Sequence, residues 1–178
     1  MWPRHLILVA SLTMLPICGL AAEATAGCPQ QEVDAHVRNQ FAQFGPLSVD
    51  HEYFGFIYVH EGVIQSSVTR GGKCHEGNCL TNTATAVARI PRGAKVLGEW
   101  HTHPHDGSTQ LSVEDIRGAQ NNAHIRCYVA YYGKPDGEIL SWDPRSTSVP
   151  TAMASRISIG NYAPRLANQT KERADSQL

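Results

Sequence analysis

The chain has 178 residues, with 15 Lys and Arg against 16 Asp and Glu, a formal net charge of −1 at pH 7 and 42% apolar residues. A near-neutral balance without a Lys/Arg cluster argues against a nucleic-acid partner. The sequence contains neither an internal repeat nor a low-complexity tract, and its length fits one domain with an adequate core.

In chain order, Arg4 and His5 form a short basic start, Leu6 to Leu20 an apolar stretch, and Ala24-Thr25-Ala26 a small-residue cleavage site. This pattern predicts a secretory signal over residues 1–26. The apolar stretch is short for a transmembrane helix, so no stable membrane insertion is expected once the signal is removed. A membrane anchor is the alternative. A lipoprotein reading through Cys28 is weakened because Thr25 stands where a lipobox carries Leu. The expected location is periplasmic or secreted, with a domain over 27–165 and a polar, frayed tail over 166–178.

Gln30 to Phe44 reads as a helix, apolar at Val33, Val37, Phe41 and Phe44. Glu52 to Val59 and Gly62 to Thr69 read as a hairpin turning through His60-Glu61-Gly62. Strands are expected near Thr83 to Ile90 and Ala94 to His103, the latter stopped by Pro104. His105 to Gln110 is a polar loop, and Ser112 opens a helix through about Ala123. Strands Arg126 to Tyr132 and Glu138 to Trp142 follow, joined by the turn Gly133-Lys-Pro-Asp-Gly137. A further helix is expected over Thr151 to Ser158. This order defines an α+β domain with a mixed β-sheet flanked by helices.

Removal of the signal takes Cys18 and leaves Cys28, Cys74, Cys79 and Cys127. An even number in an oxidising compartment points to two disulfides. Three pairings are possible; the favoured one has Cys74 and Cys79 closing their own Gly-rich loop, leaving Cys28 to tie the first helix to Cys127. The alternative is a metal site of Cys74, His75 and Cys79, although the spacing departs from usual zinc patterns. Cys127 lies in an apolar alternating segment with nothing nearby to lower its pKa, so it reads as core or disulfide rather than nucleophile.

The densest chemistry lies in Gly98-Glu-Trp-His-Thr-His-Pro-His-Asp-Gly-Ser-Thr-Gln-Leu-Ser-Val-Glu-Asp115. Histidines at i and i+2 share one face of a strand, and Asp115 returns after a short loop. His101, His103 and Asp115 therefore form a candidate Zn2+ ligand set with a fourth position open to water. Ser112 and Asp115 also read as a capping box, a structural role compatible with ligation by Asp115. His105 and Asp106 read as solvated loop residues, and His51 as a structural residue on the face opposite Glu52.

These residues resemble the motif of the JAMM (MPN-type) metallopeptidases: a Glu, then His-Ser/Thr-His-Pro, then Ser-x-x-Asp. Glu52-Tyr-Phe-Gly55-Phe-Ile, His101-Thr-His103-Pro104 and Ser112-Val-Glu-Asp115 match it in order and spacing. The flanking segments are similar to bacterial JAMM-like domains, some of them carried on polymorphic toxins. The chain departs from the eukaryotic members in a longer loop between His103 and Ser112, and in Glu99. With period 2, Glu99 shares the face of the two histidines, either orienting an imidazole or serving as a salt-bridging carboxylate.

The resemblance implies a JAMM-like fold with cytidine-deaminase-like layering, and hydrolysis of a peptide or isopeptide bond. It further implies Glu52 as general base and Ser112 as hydrogen-bond donor to the oxyanion. Expected substrates are a peptide, a protein or peptidoglycan. The competing readings are a non-catalytic zinc-binding interaction domain and a secreted effector or toxin module.

Overall fold

A computed structural model of the chain describes residues 27–74, 79–104, 111–146 and 157–161. The expected leader and polar tail lie outside these residues. Helix α1 (Gln30–Phe44) buries Val33, Val37 and Phe41, the stripe that its helical spacing offered. A 3₁₀ turn over Gly45–Leu47 ends it and delivers the chain to the first strand. Strands β1 (His51–His60) and β2 (Val63–Lys73) form the expected hairpin. Its two turn residues, Glu61 and Gly62, both take positive φ, 51° and 78°, the backbone twist a two-residue hairpin turn requires.

Two expectations are corrected. Thr83 to Ile90 does not form a strand: it contains helix α2 (Thr83–Ala88). The Thr/Ala alternation imitates a strand, but the Asn82 side chain accepts a hydrogen bond from the Thr85 amide and caps a short helix in which three alanines offset the weaker helix formers Thr83, Thr85 and Val87. Only Ala86 of this helix is buried. The expected helix over Thr151 to Ser158 lies largely outside the described residues. Its last two positions instead open strand β6 (Ile157–Asn161), which pairs antiparallel with β5.

The remaining elements are β3 (Lys95–Thr102), α3 (Val113–Asn121), β4 (Val129–Gly133) and β5 (Glu138–Trp142). β4 begins later than the apolar pattern implies because Cys127 adopts a left-handed φ of 69°. The six strands form one sheet in the order β2-β1-β3-β4-β5-β6. β3 and β4 are parallel and the other neighbours antiparallel, so the sheet is mixed and the domain α+β. The parallel pair needs a crossover, and α3 supplies it.

The sheet carries a cluster on each face. Toward α1 lie Val33, Val37, Phe41, Ile57, Leu97, Trp100, Val129, Tyr131 and Ile139. Toward α3 lie Ile116, Ala119, Tyr128, Ala130 and Trp142. Leu97 and Trp100 share a face despite their odd spacing. The reason is a bulge: β3 steps from Gly98 to Val96 while β1 advances only from Ile57 to Tyr58. α1 is further fixed by Tyr131, whose hydroxyl donates to Asp34 Oδ1 at 2.7 Å and accepts from Gln30 Nε2 at 2.6 Å.

Both expected disulfides are present, Cys28–Cys127 and Cys74–Cys79, with sequence separations of 99 and 5. Such bonds persist in oxidising compartments. Loop-closure entropy assigns about 4.7 kcal/mol to a bridge closing a hundred-residue loop, and about 2 kcal/mol to one closing a five-residue loop. Replacing Cys28 and Cys127 together by Ala is therefore expected to lower the urea midpoint more than replacing Cys74 and Cys79. Equal losses in equilibrium unfolding would contradict this ranking.

Candidate metal centre

Three elements meet at the C-terminal end of β3. Alternation along β3 turns His101 and His103 to the α3 face, and the His103 amide continues the parallel pairing by donating to the Gly133 carbonyl at 2.9 Å. Asp115 stands in the first turn of α3, where a capping box fixes its carboxylate. Oδ2 accepts from the Ser112 amide at 2.8 Å and from the Ser112 hydroxyl at 2.7 Å, while the Asp115 amide donates to Ser112 Oγ at 3.1 Å. The structural and functional readings of Ser112 and Asp115 thus describe the same hydrogen bonds.

The two imidazole Nε2 atoms are 3.1 Å apart. His101 Nε2 lies 3.8 Å from Asp115 Oδ1, and His103 Nε2 lies 4.0 Å from Asp115 Oδ2. Ligands at about 2.0–2.2 Å around a tetrahedral zinc stand about 3.3–3.6 Å from one another. The two carboxylate distances run to different oxygens, and one ligand atom from each residue lies within 4.8 Å of the other two, so a shift of about an ångström in the Asp115 carboxylate would close the set around one ion. The chemistry fits as well, because two facing imidazole nitrogens beside a carboxylate require a proton or a cation between them. Both histidines are buried, each 5% exposed, and these three residues form a group able to hold a metal ion.

The walls of the site are aromatic and acidic. His101 faces Tyr132 across the parallel ladder, and the Tyr132 ring lies 6.2 Å from the His101 ring and 5.5 Å from the His103 ring. Sequence reading missed Tyr132 because parallel pairing leaves no local mark. Glu99 is buried on the histidine face. Its hydrogen bond goes to neither an imidazole nor a basic side chain: the Tyr128 hydroxyl donates to Glu99 Oε2 at 2.6 Å and accepts from Asn122 Nδ2 at 3.0 Å. Burial pushes the Glu99 carboxyl above the usual carboxylate range, while the Tyr128 hydrogen bond and His101 partly oppose it.

Glu52 comes from the start of β1. Phe54, two residues on and hence on the same strand face, is the register partner of His101. Gly55 follows where the Trp100 indole crosses, since a Cβ there would stand 2.8 Å from Trp100 Nε1. His51 bonds away from the site, its Nδ1 lying 3.2 Å from the Gly71 carbonyl oxygen and its Nε2 3.3 Å from Asp50 Oδ1. His75, His105 and Asp106 lie outside the described residues.

The electrostatics separate the two carboxylates. Glu52 is pushed up to about 7, first by burial; His101 opposes this shift and Asp115 adds to it. Burial acts on Asp115 in the same direction, but His101, the Ser112 hydrogen bonds and His103 together outweigh it and hold Asp115 below its usual value. One carboxylate is thus kept charged beside the imidazoles while the other exchanges its proton near neutrality. No protein-family model and no curated protein matches the chain.

The Glu52 shift has a consequence for stability. A carboxyl raised from 4.5 to about 7 holds its proton more tightly in the folded state. Its contribution is complete below the unfolded value and is lost as pH rises through the folded one. In metal-free protein, the Glu52→Gln variant should therefore gain on wild type between pH about 4.5 and about 8. Urea midpoints across that range provide the check, and a difference independent of pH would refute the assignment.

Proposed function

We propose that this protein is an exported zinc-dependent peptidase of the JAMM type, hydrolysing a peptide or isopeptide bond. The observation that carries the reading is the convergence of His101, His103 and Asp115 into one group whose ligand atoms lie within 4.8 Å of one another, with Glu52 contributed from the neighbouring strand. The family assignment rests on the motif resemblance. Export is supported by the leader-like N-terminus and by two disulfides of the kind an oxidising compartment maintains. Among the described residues, no helix is long and apolar enough to cross a membrane.

His101, His103 and Asp115 would hold the zinc ion, which would supply Lewis acidity toward the scissile carbonyl and toward water. Glu52 is the group that moves the proton, first accepting it from water and then passing it to the leaving amine. Burial raises the Glu52 carboxyl to about 7 in the metal-free site, and the charge of a bound zinc would draw it back toward the carboxylate form that accepts a proton. Tyr132 packs beside both imidazoles and limits their rotation. Ser112 is assigned to the oxyanion; its hydroxyl now donates to Asp115 Oδ2 and must turn from it for that task, leaving the Ser112 amide on the carboxylate. The substrate class is a peptide, a protein or a cell-wall peptide crosslink.

Purified wild type is expected to hold one zinc per chain by elemental analysis, and His101→Ala to lose most of it. Full retention of zinc in that variant would remove the ligand assignment. Glu52→Gln should keep the zinc yet lose chelator-sensitive cleavage of peptide or peptidoglycan libraries by about 10²–10⁴-fold. Asp115→Ala should lose zinc and cleavage together. Near-normal turnover of Glu52→Gln would reassign the base.

A further inference from the structure

Glu52 occupies an irregular place in the sheet. Toward β2, the register passes from His51↔Lys73 directly to Tyr53↔Arg70, so Gly71 and Gly72 together face Glu52. Toward β3, regular pairing begins only at Phe54↔His101. Gly71 leaves room at this bulge for neighbouring backbone: a Cβ there would lie 2.7 Å from the Leu80 carbonyl oxygen and 3.3 Å from that of Glu52. The ordinary ladder thus does not fix the backbone of the residue whose direction matters most. Bulges beside sites commonly re-aim a side chain, and something must then hold the new direction.

Two hydroxyls supply that hold. The Tyr53 amide donates to Thr102 Oγ1 at 2.9 Å, Ser48 Oγ donates to the His51 carbonyl at 2.6 Å, and the two hydroxyl oxygens lie 2.7 Å apart. The order of donors is forced, because an amide only donates and a carbonyl only accepts. Thr102 must then donate to Ser48, and Ser48 to His51. The His51 carbonyl belongs to the peptide plane before the Glu52 Cα, and the Tyr53 amide to the plane after it. Peptide units are rigid, so fixing both planes fixes φ and ψ of Glu52 and with them the Cα–Cβ direction from which its side chain starts. Ser48 and Thr102 are 5% and 0% exposed, which keeps water from competing for these bonds.

Thr102 is also the residue between His101 and His103. Strand alternation sends its side chain to the opposite face, so one three-residue segment holds the two imidazoles on one side and the Glu52 backbone on the other. We infer that Thr102 and Ser48 are positioning residues, a buried hydroxyl relay that aims the Glu52 carboxylate at the group held by His101, His103 and Asp115. The inference rests on the proposed reading of that site.

The test uses Co2+ as a paramagnetic probe and carbon NMR of the full chain. Wild type is expected to bind one Co2+ and to show a pseudocontact shift at the Glu52 carboxyl. The isosteric Thr102→Val variant should bind Co2+ with affinity within about threefold of wild type, because the ligands are untouched. Its Glu52 shift should change by at least half, and Tyr53 amide exchange should rise about tenfold or more, as expected when an amide loses a buried acceptor. Thr102→Ser, which keeps the hydroxyl, should restore both signals. General loosening of the sheet would not be rescued in this way. If Thr102→Val does not fold, Ser48→Ala removes the link to His51 and serves the same comparison.

An unchanged Glu52 shift in variants that bind Co2+ normally would overturn the inference. Failure of wild type to bind Co2+ would instead sink the metal reading. In that case the Glu52 backbone shifts and Tyr53 exchange in metal-free protein still judge the relay, and no change in Thr102→Val overturns it.

Discussion

Strand β3 is paired on both edges, antiparallel to β1 and parallel to β4, and the arrangement of every candidate group follows from that double pairing. The β1 edge brings the strand carrying Glu52 beside the histidines. The β4 edge places Tyr132 against the imidazoles and, through the crossover, returns α3 with Asp115 at its first turn. A central parallel strand is normally apolar on both faces. β3 departs from this rule at its C-terminal end, where Glu99, His101 and Thr102 are buried together with His103 just beyond. Burying such groups is costly unless each has a partner. Tyr128 serves Glu99, Ser48 and Tyr53 serve Thr102, and the histidines face one another and Asp115.

How much of this was legible depended on whether the signal was local. α1, the β1–β2 hairpin and the Ser112 cap could be read because periodicity, turn residues and capping act over a few positions. Four cysteines pointed to two disulfides with three possible pairings, and closure of the short loop by Cys74 and Cys79 was the favoured one, which the fold contains. The stretch over Thr83–Ala88 misled because alternating Thr and Ala satisfy a strand pattern, while the deciding contribution was one Asn82 side chain. β6 was missed because its partner edge lies in β5, a relation the sequence does not display.

The candidate site divides along the same line. His101, His103 and Asp115 were visible as a spacing, and Glu52 through a resemblance across about fifty residues of chain. Tyr132, Tyr128 and the two hydroxyls at Ser48 and Thr102 were not visible. Each acts through a partner at least 29 residues away, and Ser48, Thr102 and the tyrosines are individually ordinary residue types. Glu99 shows the cost of reading a face without its neighbours. Strand period placed it correctly with the histidines, yet the hydrogen-bond partner that completes it stands on the far side of the crossover.

The span closed by Cys28 and Cys127 has a consequence for survival under proteolysis. Glu52, His101, His103 and Asp115 all fall between these two cysteines, as does the whole of the β1–β2 hairpin. A single backbone cut anywhere within that span leaves its two fragments joined through sulfur rather than separating them. The nicked molecule keeps base and ligands in one covalent body, so re-association is a unimolecular event that dilution does not oppose.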